Sequence, residues 1–163
     1  MTARTAWTNG NGQGLTWGNL FNGSDLNSLP NGSSVLASIS AIANGSSLDQ
    51  FMDVSLECSI SSNTISAGAN FTFWIFPLMQ DGSTYGDNSL TVGTQAAATP
   101  GLFPVFTMPL RAASSQTALY GYAQTVVISP GAFLCAVQNN CGFTLSASGN
   151  AIKYRTYNIN LNN

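Results

Sequence analysis

Phe71-Thr72-Phe73-Trp74-Ile75-Phe76-Pro77-Leu78-Met79 is the stretch on which the reading of the whole chain turns. Eight of these nine residues are apolar. An apolar run without polar alternation reads as a strand buried on both faces, or on one face with a partner chain over the other. Pro77 cannot donate to a ladder, so the strand must end, bulge or lie at an edge near it. The polar loop Gln80-Asp81-Gly82-Ser83-Thr84-Tyr85-Gly86-Asp87-Asn88 follows.

Working outward toward the N-terminus, Ser61 to Asn70 is a turn-rich connection. Before it, Met52, Val54, Leu56, Cys58 and Ile60 alternate with Asp53, Ser55, Glu57 and Ser59, the period of a half-buried strand. Val35 to Ile42 is a further strand candidate whose Ala and Ser content leaves a short helix open, and Asn44-Gly45-Ser46-Ser47 supplies a turn. Toward the C-terminus, Ser89 to Pro100 reads as a surface loop with a short strand. Gly101 to Pro109 resumes the apolar pattern with edge-favouring prolines. Thr117 to Ile128, Ala132 to Val137 and Ala151 to Ile159 are strands. The last carries Lys153 and Arg155 on one face and Ile152 and Tyr154 on the other.

Between the last two strands a hairpin is expected. Phe133, Cys135 and Val137 share a face, as do Cys141, Phe143 and Leu145, and an odd loop keeps both sets on one side of the sheet. A three-residue loop Gln138-Asn139-Asn140 would set Cys135 opposite Phe143, whereas a five-residue loop would set it opposite Cys141, where a disulfide becomes possible. The odd count of three cysteines and a cytoplasmic origin favour free buried thiols at Cys58, Cys135 and Cys141.

Seven or eight strands with turns between them and no long helix point to an all-β fold, an antiparallel two-sheet sandwich of jelly-roll form. Residues 1–32 differ in texture, because Asn9-Gly10-Asn11-Gly12-Gln13-Gly14 suits neither helix nor interior strand while Trp7, Trp17, Leu20 and Phe21 flank it. They read as an extended arm, folded across its own domain or gripping a neighbouring subunit, ahead of one sandwich domain at 33–163. In the second case Trp7, Trp17, Leu20 and Phe21 are the contact residues.

Charged residues make up 6% of the 163, with a net charge of −2, against about 25% charged in an average soluble protein. So weakly charged a surface suits a subunit of a homo-oligomer or larger assembly. It lacks the basic footprint that nucleic acid requires. No run approaches a membrane span, and Met1-Thr2-Ala3-Arg4 does not lead into a signal-peptide core, so synthesis and retention in a cytoplasm are expected. The Asn-Gly-Ser triplets at Asn22, Asn31 and Asn44 read as turns and not as glycosylation acceptors.

There is no histidine, which removes the usual general base and the commonest metal ligand together. Nucleophile elbows, phosphate-binding loops and zinc spacings are also missing, and neither a catalytic site nor a cofactor is expected. Asp53 and Glu57, four residues apart on one strand, stand roughly 13 Å from each other, too far for a glycosidase pair. Their expected role is cross-strand or intersubunit pairing with Lys153 and Arg155. Asp81 and Asp87, with Asn88, form a weak candidate for calcium. Tyr85 on the same loop is the one exposed aromatic platform expected for a sugar.

Pro77-Leu78-Met79-Gln80-Asp81-Gly82-Ser83-Thr84-Tyr85-Gly86-Asp87 and Ser146-Ala147-Ser148-Gly149-Asn150-Ala151-Ile152-Lys153-Tyr154-Arg155-Thr156-Tyr157-Asn158, with Thr5-Ala6-Trp7, resemble a group of small virion proteins of tailed bacteriophages. The resemblance implies a structural, non-enzymatic protein of the particle. A decoration or cement protein that binds the major capsid protein or another virion subunit is one form, and a small head or tail component is another. A carbohydrate- or receptor-binding module, with Asp81, Tyr85 and Asp87 as its loop, is the alternative.

Overall fold

The computed structural model describes residues 4–8, 15–85 and 90–162. Along them run strands β1 (Arg4–Thr8) and β2 (Gly18–Asn19), helix α1 (Gly23–Leu26), and strands β3 (Ser34–Leu36), β4 (Ile42–Ala43), β5 (Phe51–Ile65), β6 (Asn70–Pro77), β7 (Gln95–Ala96), β8 (Phe106–Pro109), β9 (Ala113–Val127), β10 (Ala132–Asn140) and β11 (Ala151–Asn162). They form two antiparallel sheets, so the fold is an all-β sandwich. The first has the order β1-β11-β5-β9, with β2 also on β11; the second has β7-β3-β10-β6-β8, with β4 also on β10.

The strand pairs are nested. β1 pairs β11, β3 pairs β10, β5 pairs β9 and β6 pairs β8, from the outermost pair to the innermost, and alternate pairs fall in opposite sheets. The chain therefore behaves as one long hairpin rolled up on itself, with β1 and β9 at the edges of the first sheet and β7 and β8 at those of the second.

β6 lies inside its sheet and is buried on both faces. Phe71 and Phe73 point into the main core with Met52, Val54, Leu56 and Cys58 of β5. Trp74 and Phe76 point the other way, into a second cluster with Leu36, Leu90, Leu134 and Ala136 that Tyr85, Ala96 and Ala98 help to close. The Trp74 indole N–H is satisfied by the Leu102 carbonyl at 2.9 Å. The strand ends at Pro77 for the expected reason. Val105 N–H donates to Phe73 O and Leu78 N–H to Ala132 O, so odd residues of β6 address β8 and even ones β10. The missing N–H of Pro77 faces the β8 side, where pairing stops at Phe73 with Phe106.

Several local expectations are corrected. β5 runs on to Ile65, because the fifteen residues of β9 extend far enough to pair Asn63 with Gln116 and Ile65 with Ala113. The Val35 to Ile42 strand is broken into β3 and β4, both on β10. The hairpin after β10 does not form. Gln138, Asn139 and Asn140 stay in the strand opposite Thr72, Phe71 and Asn70, and 141–150 is irregular. Buried Asn139 accounts for this. Its amide donates to Leu29 O and Phe143 O at 2.9 Å and accepts from Cys141 N–H at 3.0 Å, so the side chain closes the turn that a ladder would have made. Cys135 accordingly faces neither Phe143 nor Cys141 across a hairpin. All three cysteines are free and buried.

The stretch expected to be an arm is built into the sandwich, with β1 paired to β11 along Arg4 to Thr8. Gly18 and Asn19 pair with Tyr154 and Lys153, and Leu20, Phe21, Leu26 and Leu29 lie in the main core. Asp25 accepts from the N–H groups of Asn22 (3.1 Å) and Ser38 (2.9 Å), tying α1 to the segment after β3. Among the described residues no helix is long and apolar enough to cross a membrane.

Candidate functional site

The outer face of the first sheet gathers four of the chain's ten charged residues, Asp53, Glu57, Lys153 and Arg155, and several of its aromatic rings. Alternation puts Lys153, Arg155 and Tyr157 of β11 on this face together with Asp53, Ser55 and Glu57 of β5, and the register sets Arg155 opposite Asp53, Lys153 opposite Ser55 and Ala151 opposite Glu57. β9 adds Tyr122 opposite Ser55 and Tyr120 opposite Glu57.

Beside Asp53 the β5–β9 ladder is irregular. Met52 pairs with Val126 and Val54 with Ala123, so Gln124 and Thr125 together face the single residue Asp53. This is a bulge. Thr125 sits at φ 56°, a region unusual for a β-branched residue, and its N–H, freed from the ladder, donates to Asp53 Oδ1 at 3.0 Å. Tyr157 OH donates to the same oxygen at 3.0 Å. Oδ2 receives Tyr122 OH at 2.9 Å and the Arg155 Nε and Nη2 groups at 3.0 and 2.9 Å. Asp53 is only 3% exposed, and both of its oxygens are saturated with donors.

Burial alone raises the Asp53 carboxyl; the Thr125 N–H, then Arg155, Tyr122 and Tyr157, outweigh it and hold the group below its ordinary value. Tyr122 moves up, through burial and then through its bond to that carboxylate. An ionised, fully engaged carboxylate is an anchor, not a proton shuttle. Above it the Trp17 ring lies over the Arg155 guanidinium, 4.8 Å from ring centroid to Cζ, and meets the Tyr122 ring edge-on at 6.0 Å. Asp53, Arg155 and Trp17 thus form a pillar from the sheet to the surface.

Two shallow recesses flank that pillar. One, of about 240 Å³, is lined by Trp17, Ser55, Glu57, Ala151 and Lys153; the other, of about 320 Å³, by Leu15, Asp53, Gln124, Thr125, Arg155 and Tyr157. With Trp17 39% exposed, the first offers a flat ring between an acid, an amine and a hydroxyl. That chemistry fits a polar ligand with one apolar face.

Trp17, Asp53, Glu57, Lys153 and Arg155, singled out in the sequence, therefore come together here. Asp53 and Arg155 make the expected cross-strand pair, and it is the only salt bridge among the described residues; Glu57 and Lys153 stand apart across the recess. Leu20 and Phe21, expected to be contacts to a neighbour, are buried in the chain's own core and present nothing to one. Trp7 lies in β1 opposite Ile159, and its side chain falls outside the described residues.

In the 80–88 loop, Asp81 Oδ1 accepts the N–H groups of Ser83 and Thr84 at 3.0 and 2.9 Å. The Thr84 hydroxyl and these N–H groups hold its carboxyl down at about 2. Asp81 thereby closes its own turn. Tyr85 is half-buried against the Trp74 and Phe76 cluster, whereas Trp17, Phe103, Tyr120 and Tyr122 are exposed rings. Asp87 and Asn88 lie outside the described residues.

Tyr122, Thr125 and Tyr157 complete the site without having been singled out. Tyr157 shares the parity of Lys153 and Arg155 in the sequence and was legible on that basis; the bulge at Thr125 leaves no such mark. Comparison with known proteins adds no relative: no family model, no curated protein and no solved structure matches the chain.

Proposed function

We propose that this protein is a non-enzymatic structural component of a tailed-bacteriophage particle. It is of decoration or cement type, binds the major capsid protein or another virion subunit, and stabilises the assembled shell. One observation carries the reading. β8 and β9, each an edge strand of its sheet, contain no charged residue between them. Proteins that remain free monomers protect such edges with charges, prolines or covering segments. Here Pro109 and the bulge at Gln124 and Thr125 serve that purpose, and the remainder of the fifteen-residue β9 offers an uncharged backbone to a neighbour.

The nested strand order supports the finer reading of a jelly roll, a double-sheet form recurrent in capsid proteins. The sequence resemblance to small virion proteins points the same way. A subunit that binds only the assembled shell stabilises it by mass action, without any chemistry. The test is to add purified protein to particles that lack it and to measure occupancy by reconstruction. Saturating occupancy is expected for the natural chain, with loss of at least about tenfold in affinity for a Thr117→Lys, Tyr120→Lys double variant on β9. Undiminished binding by that variant would overturn the edge reading.

A second reading, a carbohydrate- or receptor-binding module, is favoured by the exposed Trp17 ring beside Glu57 and Lys153. A glycan array probed with the natural chain and with Trp17→Ala separates the two. Binding that disappears in the variant supports the module, and an array without signal rejects it.

A further inference from the structure

We propose that two copies of this chain associate about a two-fold axis by exchanging the Phe103 side chain. Phe103 is 95% exposed, extreme for a phenyl ring, and its loop is not slack. On one side Leu102 O holds the Trp74 indole N–H at 2.9 Å; on the other Val105 N–H donates to Phe73 O at 2.8 Å. Pro104 fixes the backbone between them. The backbone that carries the ring is thus braced on both sides, and the ring stands out into solvent.

Next to this turn the sandwich is open. β8 stops at the Phe73–Phe106 pair, and beyond it lies an open recess of about 140 Å³, walled mainly by the apolar side chains of Ile75, Pro77, Val127, Ile128 and Phe133 and also by Ser129. No charged side chain borders the recess. Its volume is close to that of an apolar protein cavity of about 150 Å³ that admits benzene, which is the ring Phe103 carries. Val105 also lines it, so knob and hole stand two residues apart along the chain.

That adjacency selects the occupant. When the ring of one copy enters the recess of another, the second ring is brought to the first recess, and both are filled by one two-fold contact that closes on itself. The patch is uncharged on both sides, so a second copy meets no like-charge repulsion. Val127, 70% exposed, becomes covered in the same step. The dimer does not depend on the particle reading, and it leaves the Ala113 to Tyr120 half of β9 open for other contacts.

Sedimentation of the full chain tests it. The mass of two chains is expected at micromolar concentration, with Phe103→Ser raising the dissociation constant at least about tenfold while the circular dichroism stays unchanged, since the ring makes no fold contact. A second measurement mixes Phe103→Cys chains with Val127→Cys chains under mild oxidation; a mixed disulfide joining the two is expected, the native thiols being buried. A single-chain mass up to about 1 mM overturns the proposal and assigns the ring to a different partner protein. A dimer indifferent to Phe103→Ser also overturns it.

Discussion

At Asp53 burial and hydrogen bonding pull in opposite directions, and the balance can be measured. Replacing it by Asn removes the charge that Arg155, Tyr122, Tyr157 and the Thr125 N–H all address. Because the Arg155 side chain keeps 28% exposure and can be rehydrated, the expected cost is about 2–3 kcal/mol in urea unfolding at neutral pH, below that of breaking a fully buried pair. The sign with pH follows from the lowered carboxyl. Its contribution is complete above the ordinary value of 3.8 and fades as the pH falls below it toward the folded value. The stability gap between the natural chain and Asp53→Asn should therefore be constant from pH 5 to 7 and shrink below about pH 4; a gap that widened in acid would contradict the network. The thiols give a second reading of burial, which pushes Cys58 up to about 12 and raises Cys135 and Cys141 as well. Since the thiolate is the reacting form, a thiol reagent at pH 8 should find almost nothing in the folded protein and three groups per chain in denaturant without reductant. Finding one would mean a disulfide.

Among the elements, β5 and β9 form the longest pairing, and β9 packs tightly against β8 where the sheets meet. A Cβ on Gly121 would fall 2.2 Å from Met108 Sδ and 2.9 Å from its Cγ. Met108 is itself fully buried, so it has little room to withdraw despite the flexibility of its side chain. Gly121→Ala should thus destabilise by about 1–3 kcal/mol by overpacking, lowering the urea midpoint without changing its slope. A neutral result would show that the seam between β8 and β9 is looser than its geometry. β6 illustrates the opposite situation. Its unbroken apolar run was legible in advance because both of its faces meet core, one against β5 and the other against the segment that follows it.

Across the whole molecule, the N-terminal residues are part of the core and not an accessory. Leu20, Phe21, Leu26 and Leu29 are buried. At about 1.5–3 kcal/mol each these four represent as much free energy as the entire stability of an ordinary domain, about 5–15 kcal/mol. Deleting residues 1–32 should leave a chain without cooperative unfolding or dispersed amide resonances, and a folded truncated domain would refute this. By itself the sequence determined the all-β class, the core face of β5 and an end, bulge or edge at Pro77, and it put Asp53 and Glu57 forward as partners for Lys153 and Arg155. All of these rest on strand alternation and backbone donors, which are properties of neighbouring residues. Only the tertiary structure decided that Leu20 and Phe21 point inward, that Tyr85 is covered while Trp17 is not, that Asn139 replaces a hairpin at Cys141, and that a bulge at Thr125 turns Asp53 into a buried hub. In each case the outcome depends on which distant segment arrives to cover a face or satisfy a donor, and no local period records that.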